Sequence, residues 1–304
     1  PVQTSCVEAF NNCLHLRSSK SSHRGTKLYV TASYATVLDW HEQGPYVTHF
    51  FNTLSVFFPV GERFFMNAVR HYRDQVTDPE LKKAVTAFIG QEAMHGREHE
   101  AYNEAVAKAG MPVDAMEARV HWLLEELKLY SPKSMQLSAT IALEHFTAIM
   151  ADKLLADERI MGGSDEVMAK IWNWHALEET EHKAVAFDVW KVAMQGRPEA
   201  YASRALGLVL ATVIFWPLVA EFHWRMVRAD KSLKKGVVAR LKGYAGLANF
   251  LFRSPGALSK TVPEWFDYFR PGFQPWDHDN RAFLERLPEF EAEMARLAHG
   301  PKAA

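Results

Sequence analysis

The amino-acid sequence predicts an all-α protein built from long antiparallel helices. Apolar residues recur at helical spacing over most of the chain, and the intervals between these stretches carry capping residues, glycines and prolines. The sequence contains no run of alternating strand-type residues and no glycine-rich phosphate loop. With 304 residues, 48% of them hydrophobic, the chain can enclose a substantial core. Helices packed on helices are therefore the expected architecture.

The first two predicted helices have clear boundaries. Apolar spacing is helical from about residue 47 to 75, where Pro59 either kinks the helix or begins a second one. The run Asp78-Pro79-Glu80 supplies an N-cap, a proline in the first turn and an acid beside the helix dipole. The helix that follows is expected to end at Ala109, because Gly110 comes next.

The later helices follow from the same signals. A shorter helix covers about 114–129, and Ser131-Pro132 opens another that ends before Gly162. Ser164-Asp165-Glu166 caps a long helix that reaches about Gln195. Further helices are predicted over about 199–228 and, as a last amphipathic helix, 278–298.

Three regions are expected: an N-terminal arm at 1–45, a di-metal helical bundle at 46–196 and a helical extension at 197–304 that packs on the bundle. The arm is polar and contains Cys6 and Cys13, the only cysteines in the sequence. Two cysteines argue against a disulfide framework and suit a reducing cytoplasm, so we expect a cytoplasmic protein. The net charge of −1 gives no indication of nucleic-acid binding.

Charged and imidazole side chains occupy core positions on two of the predicted helices. The apolar stripe of the helix that begins at Leu81 passes through Glu92 and His95, which lie three positions apart and therefore share one helix face. The helix that begins at Ser164 carries His175-x-x-x-Glu179-x-x-His182, again on one face.

Two other helices each place a single glutamate, Glu62 or Glu144, on an apolar stripe. Buried carboxylates at this density repel one another strongly unless cations are present. Mixed carboxylate and imidazole ligands suit iron or manganese, and zinc is also possible. We therefore predict two metal ions, iron first, and the alternative is a set of ion pairs without metal.

The order Glu, Glu-x-x-His, Glu, Glu-x-x-His over residues 45–195 resembles the ferritin-like di-iron carboxylate superfamily. This resemblance implies a ferritin-like four-helix bundle core with additional C-terminal helices. The motif around Glu179 is similar to that of the di-iron N-oxygenases that act on aryl amines, which implies that His175 is a further iron ligand. Three segments, FFPVGERFF at 57–65, WHALEETEHK at 174–183 and FRPGFQPWD at 269–277, resemble a bacterial family labelled predicted metal-dependent hydrolase. That label implies a metal.

Each predicted ligand has an expected role. Glu92 and Glu179 are the candidates for carboxylates that bridge the metals. The terminal ligands are expected to be Glu62 and Glu144, one for each metal, together with His95 and His182, each through one ring nitrogen.

Three polar residues are expected to support these ligands from outside. Gln91 and Glu178 lie four residues before the two histidines and could fix the second nitrogen of each ring, although Glu178 could instead face solvent. His99 could support the ligands in the same way or replace His95 as a ligand. Glu181 and Lys183 are expected to face solvent.

The segment 205–220 is almost wholly apolar but is interrupted by Pro217. It is short for a bilayer span, which needs about 20 residues. It could pack on the bundle, pair with a second copy in a homodimer, or lie on the inner face of a membrane. The last alternative is suggested by the basic residues that follow, which are Arg225, Arg228, Lys231, Lys234, Lys235, Arg240 and Lys242.

Three functions agree with such a centre. The first hypothesis is an O2-dependent oxidoreductase, or oxygenase, that acts on an apolar or lipid-like small molecule, because the histidine-rich ligand set resembles the oxygenase branch. The alternative is a metal-dependent hydrolase that uses a metal-bridged hydroxide. A non-enzymatic iron-binding protein is the second alternative.

Overall fold

The computed structural model describes residues 36–234, 236–288 and 290. Within these residues the chain forms helices and turns without any β-strand, which confirms the all-α class. The α-helices are α1 (Pro45–Tyr72), α2 (Pro79–Lys108), α3 (Val113–Tyr130), α4 (Lys133–Ala156), α5 (Glu166–His182), α6 (Val185–Ala193), α7 (Ala200–Ala229), α8 (Val237–Phe252) and α9 (Val262–Asp267). Both cysteines and most of the predicted arm lie outside the described residues.

Local sequence signals set the helix starts. The carboxylate of Asp78 accepts the backbone N–H groups of Glu80 and Leu81, as predicted for the cap of α2. The carboxylate of Asp165 caps α5 in the same way, by accepting the N–H groups of Val167 and Met168. These caps satisfy backbone donors that have no partner within the helix.

Helix α1 continues through Pro59 as a single helix. A proline has no N–H to donate to the carbonyl four residues earlier, which here belongs to Ser55. The side-chain amide of Asn103 on α2 donates to that carbonyl instead, at 3.1 Å. The neighbouring helix therefore satisfies the acceptor that Pro59 leaves without its helical partner.

The predicted long helix at 164–195 is interrupted, since α5 ends at His182 and α6 begins at Val185. The side chain of Lys183 turns inward at the break and donates to the carbonyl of His278 and to Oδ1 of Asn280, both at 2.7 Å. The break between α5 and α6 therefore coincides with contacts to residues 278–280, about 95 positions later in the chain.

One other predicted helix was too long, and another begins later than predicted. Helix α4 ends at Ala156, and the 3-10 turn Glu158–Ile160 replaces the expected last turns because Asp157 accepts the N–H of Arg159. The predicted helix at 278–298 begins with a 3-10 helix over Arg281–Arg286, residues 287, 288 and 290 are α-helical, and the remainder lies outside the described residues.

The core is divided into two apolar clusters along α1. Residues up to Val60 belong to one cluster and residues from Phe64 onward belong to the other, so Glu62 lies between them. Helix α7 packs on α4 and α1, with Gly207 so close to the backbone of Ser138 that a Cβ atom there would lie 2.8 Å from the carbonyl oxygen. The described end of the arm also joins the core through buried Trp40.

Candidate metal centre

The seven residues predicted as ligands come together between four helices, and each is buried, with at most 4% of its surface exposed. Ordinary core packing would place leucines at these positions, since buried charges are costly without a partner. The contributions are Glu62 from α1, Glu92 and His95 from α2, Glu144 from α4, and His175, Glu179 and His182 from α5.

One side of the cluster is formed around His182. Its Nε2 atom lies 3.0 Å from Oε1 of Glu92 and 3.8 Å from Oε2 of Glu144. One potential donor atom from each of these three residues falls within 4.8 Å of the other two, which is close enough to hold a single ion.

The other side is formed around His95 and His175. These two histidines and Glu62 also bring donor atoms within 4.8 Å of one another. A third such group joins His95 to Glu92 and Glu179. Glu92 therefore belongs to groups on both sides of the cluster.

Glu179 lies in the middle of the arrangement. Its Oε1 atom is 3.1 Å from Nε2 of His175 and 3.7 Å from Nδ1 of His95. The same oxygen is 3.7 Å from Nε2 of His182. An oxygen that faces histidines from both sides has the position expected of a bridging carboxylate.

Most of the potential donor atoms have no hydrogen-bond partner among the described residues. They include both carboxylate oxygens of three glutamates and the inward-facing nitrogens of three histidines, namely Glu62, Glu92, Glu144, His95, His175 and His182. Buried polar atoms are nearly always satisfied in native proteins, so a concentration of unsatisfied ones requires an explanation. Bound cations would supply it, because these oxygen and nitrogen atoms are of the kinds that iron, manganese and zinc accept as ligands.

The electrostatics of the cluster point the same way. Burial raises the pKa of Glu62 well above its usual range, and repulsion from Glu92 raises it further. The pKa of Glu144 is raised for the same two reasons. Burial raises the pKa of Glu179 as well, but the neighbouring imidazoles of His175 and His182 outweigh this effect and hold the pKa of this carboxyl below its usual range. An excess of buried negative charge of this kind is what a cation would relieve.

A chain of hydrogen bonds fixes the ring of His175. Oδ1 of Asn103 accepts the hydroxyl proton of Ser55 at 2.7 Å, and the Asn103 amide is occupied as a donor to Glu117 and to the Ser55 carbonyl. The Ser55 oxygen, 2.8 Å from Nδ1 of His99, must then accept the proton on that nitrogen.

The remaining nitrogen of His99 is consequently an acceptor. It lies 2.9 Å from Nδ1 of His175, which donates its proton to it. The lone pair on Nε2 of His175 is thereby directed toward Glu179 and the cluster. Burial, followed by repulsion from His175, lowers the pKa of His99 well below 6.5, consistent with the neutral ring that this chain requires. His99 thus supports His175 from outside the cluster.

Gln91 and Glu178 contact the histidines of the opposite helix rather than those of their own. Oε1 of Gln91 lies 3.2 Å from Nδ1 of His182, and Oε2 of Glu178 lies 2.9 Å from Nε2 of His95. Burial raises the pKa of Glu178 to about 7 and lowers that of His95 to about 3. Glu178 is buried rather than solvent-facing.

The expectation that Glu181 and Lys183 face solvent was wrong, since both are buried. Oε2 of Glu181 accepts a hydrogen bond from Nε2 of Gln91 at 2.8 Å. Lys183 makes the two contacts that accompany the end of α5, and its amine also lies 4.2 Å from the ring centre of Trp276. Both residues therefore help to position the last turn of α5, which carries His182.

The sequence reasoning missed three polar residues at the site. The hydroxyl of Thr147 on α4 donates its proton to Oε2 of Glu179 at 2.5 Å and also lies 3.0 Å from the carbonyl oxygen of Glu144. The other two are Ser55 and Asn103, which direct the ring of His99. Each could have been found from its spacing, because Thr147, Ser55 and Asn103 lie three, seven and four positions from a residue already singled out on the same helix.

An apolar pocket reaches the cluster beside His175 and Glu179. It encloses about 560 Å³, part of it open to solvent. Its wall is formed mainly by residues of α1, α4 and α5, including Phe50, Leu54, Phe58, Met150, Leu154 and Trp172. Such a pocket suits an apolar small molecule whose reactive group lies at the polar end.

Comparison with known proteins identifies one family. A family profile described as "Predicted metal-dependent hydrolase" matches residues 24–279. No curated protein and no solved structure matches the chain significantly.

Proposed function

The chain belongs to the predicted metal-dependent hydrolase family, and on that premise we propose that the cluster is a dinuclear metal centre that hydrolyses an apolar or lipid-like small molecule. The observation that carries the proposal is the convergence of seven buried carboxylate and imidazole side chains whose inward atoms lack hydrogen-bond partners. The proposal includes a ferritin-like arrangement of α1, α2, α4 and α5 around the metals.

The donor set divides naturally between two ions. Glu62, His95 and His175 would hold one, and Glu144 with His182 would hold the other. The carboxylates that would bridge them are Glu92 and Glu179. When bound, the metals would supply a Lewis-acidic centre that acidifies a water and, if they are iron, the electrons for reducing dioxygen.

The residues of the chain would contribute orientation and exclusion of water. The hydroxyl of Thr147 holds Glu179 in place, and the hydrogen-bond chain through His99 fixes His175. The apolar wall of the pocket would bind the hydrocarbon part of a substrate and keep bulk water away from its reactive group. No protein nucleophile is evident among the described residues at the cluster, because the hydroxyls of Ser55 and Thr147 are already engaged. Water is therefore the expected nucleophile.

A second candidate function is an O2-dependent oxidoreductase at the same centre. The observation in its favour is the seventh donor, His175, whose Nε2 lone pair is directed at the cluster beside a largely apolar pocket. A nitrogen-rich centre next to an apolar cavity is equally suited to oxidising a hydrocarbon-like substrate.

One experiment separates the two functions. The metal-free protein is loaded in air-free buffer with zinc, manganese or ferrous iron, and metal content per chain is measured. Hydrolysis of ester, amide and phosphate substrates with acyl chains of graded length is then measured before and after oxygen is admitted.

Metal-dependent hydrolysis without oxygen supports the hydrolase, and Glu92→Ala should abolish it. An absence of hydrolysis, together with oxygen consumption and a change of absorption in the iron-loaded protein alone, would replace the hydrolase with the oxidoreductase. Iron binding without either activity would leave a non-enzymatic iron-binding protein.

A further inference from the structure

Helix α7 presents a long apolar stripe to solvent. Its exposed residues recur every three or four positions from Ala202 to Trp224, a length of roughly 33 Å at 1.5 Å per residue. No charged residue interrupts the stripe, whose larger members are Leu206, Val209, Leu210, Val213, Ile214 and Pro217. Contiguous exposed apolar surface of this extent marks an interaction site.

The opposite side of α7 is part of the protein core. Leu208, Phe222 and Met226 are fully buried, and Gly207 packs against the backbone of Ser138 on α4. By length and composition α7 is the described helix that could cross a membrane. Because one of its sides is committed to α4 and α1, we infer that it lies along a surface rather than across a bilayer.

Helix α8 has the same character. Its exposed apolar residues Val237, Val238, Leu241 and Phe252 lie on one stripe, and 62–74% of each is exposed. The opposite side packs on α1, with Leu247, Phe250 and Leu251 buried. An amphipathic helix that leaves its apolar stripe in solvent has an unsatisfied apolar face.

The two helices are neighbours. Nε2 of His223 on α7 lies 2.9 Å from the carbonyl oxygen of Tyr46, and the rings of His223 and Tyr244 on α8 are 5.8 Å apart. The ring of Tyr46 also stacks edge-on against Tyr244, 5.1 Å between centres. Tyr46 thus connects the C-terminal half of α7 with the middle of α8.

Basic residues border this pair of helices. Helix α8 contains no acidic residue. Exposed cations surround its stripe and the connection from α7, namely Arg228, Lys231, Lys234, Arg240, Lys242 and Arg253. Of the acids nearby, Glu221 pairs with Arg225 and buried Asp230 pairs with His49, and Asp39 lies close to Asp230, so the exposed cations outnumber the acids. The border is therefore positive, while the whole chain has a net charge of −1.

We propose that the exposed faces of α7 and α8 form a docking surface for an anionic lipid bilayer. Apolar stripes would enter the boundary between headgroups and acyl chains, and the basic border would contact lipid phosphates. A second copy of the chain fits less well, because a two-fold pairing through α8 would bring two acid-free basic helices together. The proposal concerns a surface outside the metal centre and does not depend on the reaction.

The test is sedimentation of the full-length chain with lipid vesicles. Vesicles of neutral phosphatidylcholine are compared with vesicles that contain 30% phosphatidylglycerol, at low and at 0.5 M salt. We expect binding to the anionic vesicles that weakens with salt, and at least tenfold weaker binding to neutral ones.

Two kinds of variant locate the surface. Val213→Asp and Leu241→Asp should each weaken vesicle binding about tenfold or more, and Lys242→Gln about fivefold. The control variants Ala93→Asp and Arg97→Gln make the same kinds of change, an added acid and a removed cation, at exposed positions of α2. They should leave vesicle binding unchanged. Unchanged helical content and thermal midpoint establish that each variant is folded.

Three outcomes would overturn the proposal. The first is equal sedimentation with and without anionic vesicles. The second is undiminished binding by both aspartate variants. The third is a concentration-dependent dimer of the wild type that Val213→Asp dissociates, since this would make the face an interface between two copies.

Discussion

Nδ1 of His182 donates a hydrogen bond to Oε1 of Gln91, 3.2 Å away on the neighbouring helix α2. The orientation of the Gln91 amide is set by its Nε2 group, which donates to Glu181 at 2.8 Å. With its Nδ1 proton engaged, His182 directs the lone pair of Nε2 toward Glu92, 3.0 Å away. One neutral side chain thus orients a predicted ligand on another helix.

Gln91→Leu should weaken metal binding by about 10- to 100-fold, because the ring of His182 loses the partner that fixes its orientation and tautomer. Chelator competition measures the affinity. Gln136→Leu is the matched control, since Gln136 is also buried and hydrogen-bonded but lies at the start of α4, with its amide on the carbonyls of Lys128 and Ser131. Equal metal affinities for the two variants would contradict the role of Gln91.

Glu62→Gln should change stability in opposite directions with and without metal. In the metal-free protein the buried carboxyl is costly, as its raised pKa shows, so a neutral amide should increase the free energy of unfolding by about 1–3 kcal/mol at pH 7. The same change removes a predicted ligand and should abolish most of the stabilisation that added metal gives. Thermal unfolding with and without metal measures both effects. If the metal-free Glu62→Gln variant were less stable than the metal-free wild type, the buried cluster would not carry a destabilising excess of negative charge.

Ser55→Ala should weaken one metal site selectively. Without its hydroxyl, His99 can place its proton on the other nitrogen and face His175 with a donor, which would remove the fixed lone pair at Nε2. We expect about tenfold weaker binding of one metal and little change in the other. Ser138→Ala, which removes another buried hydroxyl with a hydrogen bond to Ser203, is the control. Equal weakening of both metals would contradict the tautomer argument.

Leu154→Trp should restrict the enzyme to substrates with shorter acyl chains. Leu154 lies on the wall of the apolar pocket and is not one of the predicted metal ligands. A larger side chain at this position should therefore reduce the volume of the pocket and leave the ligand set intact. We expect kcat/KM for long acyl chains to fall at least tenfold while that for acetyl substrates changes little. Leu129→Trp, at an exposed position of α3, should leave the profile as in the wild type. A uniform loss for all chain lengths would mean that this pocket does not select the substrate.

Sequence spacing was sufficient to identify residues that share one helix face. The i, i+3 and i, i+4 relationships brought Glu92, His95, His175, Glu179 and His182 onto two stripes before any contact was known. The proline and aspartate signals placed the starts of α2 and α5 for the same local reason.

Relationships between helices could not be read in this way. Gln91 contacts His182 and Glu178 contacts His95, so each contacts the histidine on the other helix rather than the one on its own. This pairing depends on how α2 and α5 are rotated against each other, which the residue spacing within either helix does not specify. The break after His182 involves contacts of Lys183 with residues about 95 positions later. Helical spacings of three and four residues identify neighbours within one helix, so they cannot predict a contact between residues about 95 positions apart.

Two histidines remote from the metal centre should make the protein sensitive to acid. Burial lowers the pKa of His41 and that of His223 from 6.5 to about 4, and each ring donates to a backbone carbonyl, that of Ile160 or that of Tyr46. Between pH 6.5 and 4 the unfolded chain therefore binds more protons than the folded one. The free energy of unfolding is fully retained above pH 6.5 and falls as the pH decreases, by up to roughly 3 kcal/mol for each histidine at pH 4.

Urea unfolding in excess chelator at pH 7.5, 6 and 5 measures this dependence. His41→Gln and His223→Gln should be less stable than the wild type at pH 7.5, because a buried hydrogen bond is perturbed, but each should lose less stability on acidification. His121→Gln is the control, since the His121 side chain on α3 is 61% exposed. Chelator keeps the predicted ligands metal-free in every sample, so their own titration cancels in the comparison. Parallel pH profiles for the wild type and both variants would show that other groups cause the loss of stability in acid.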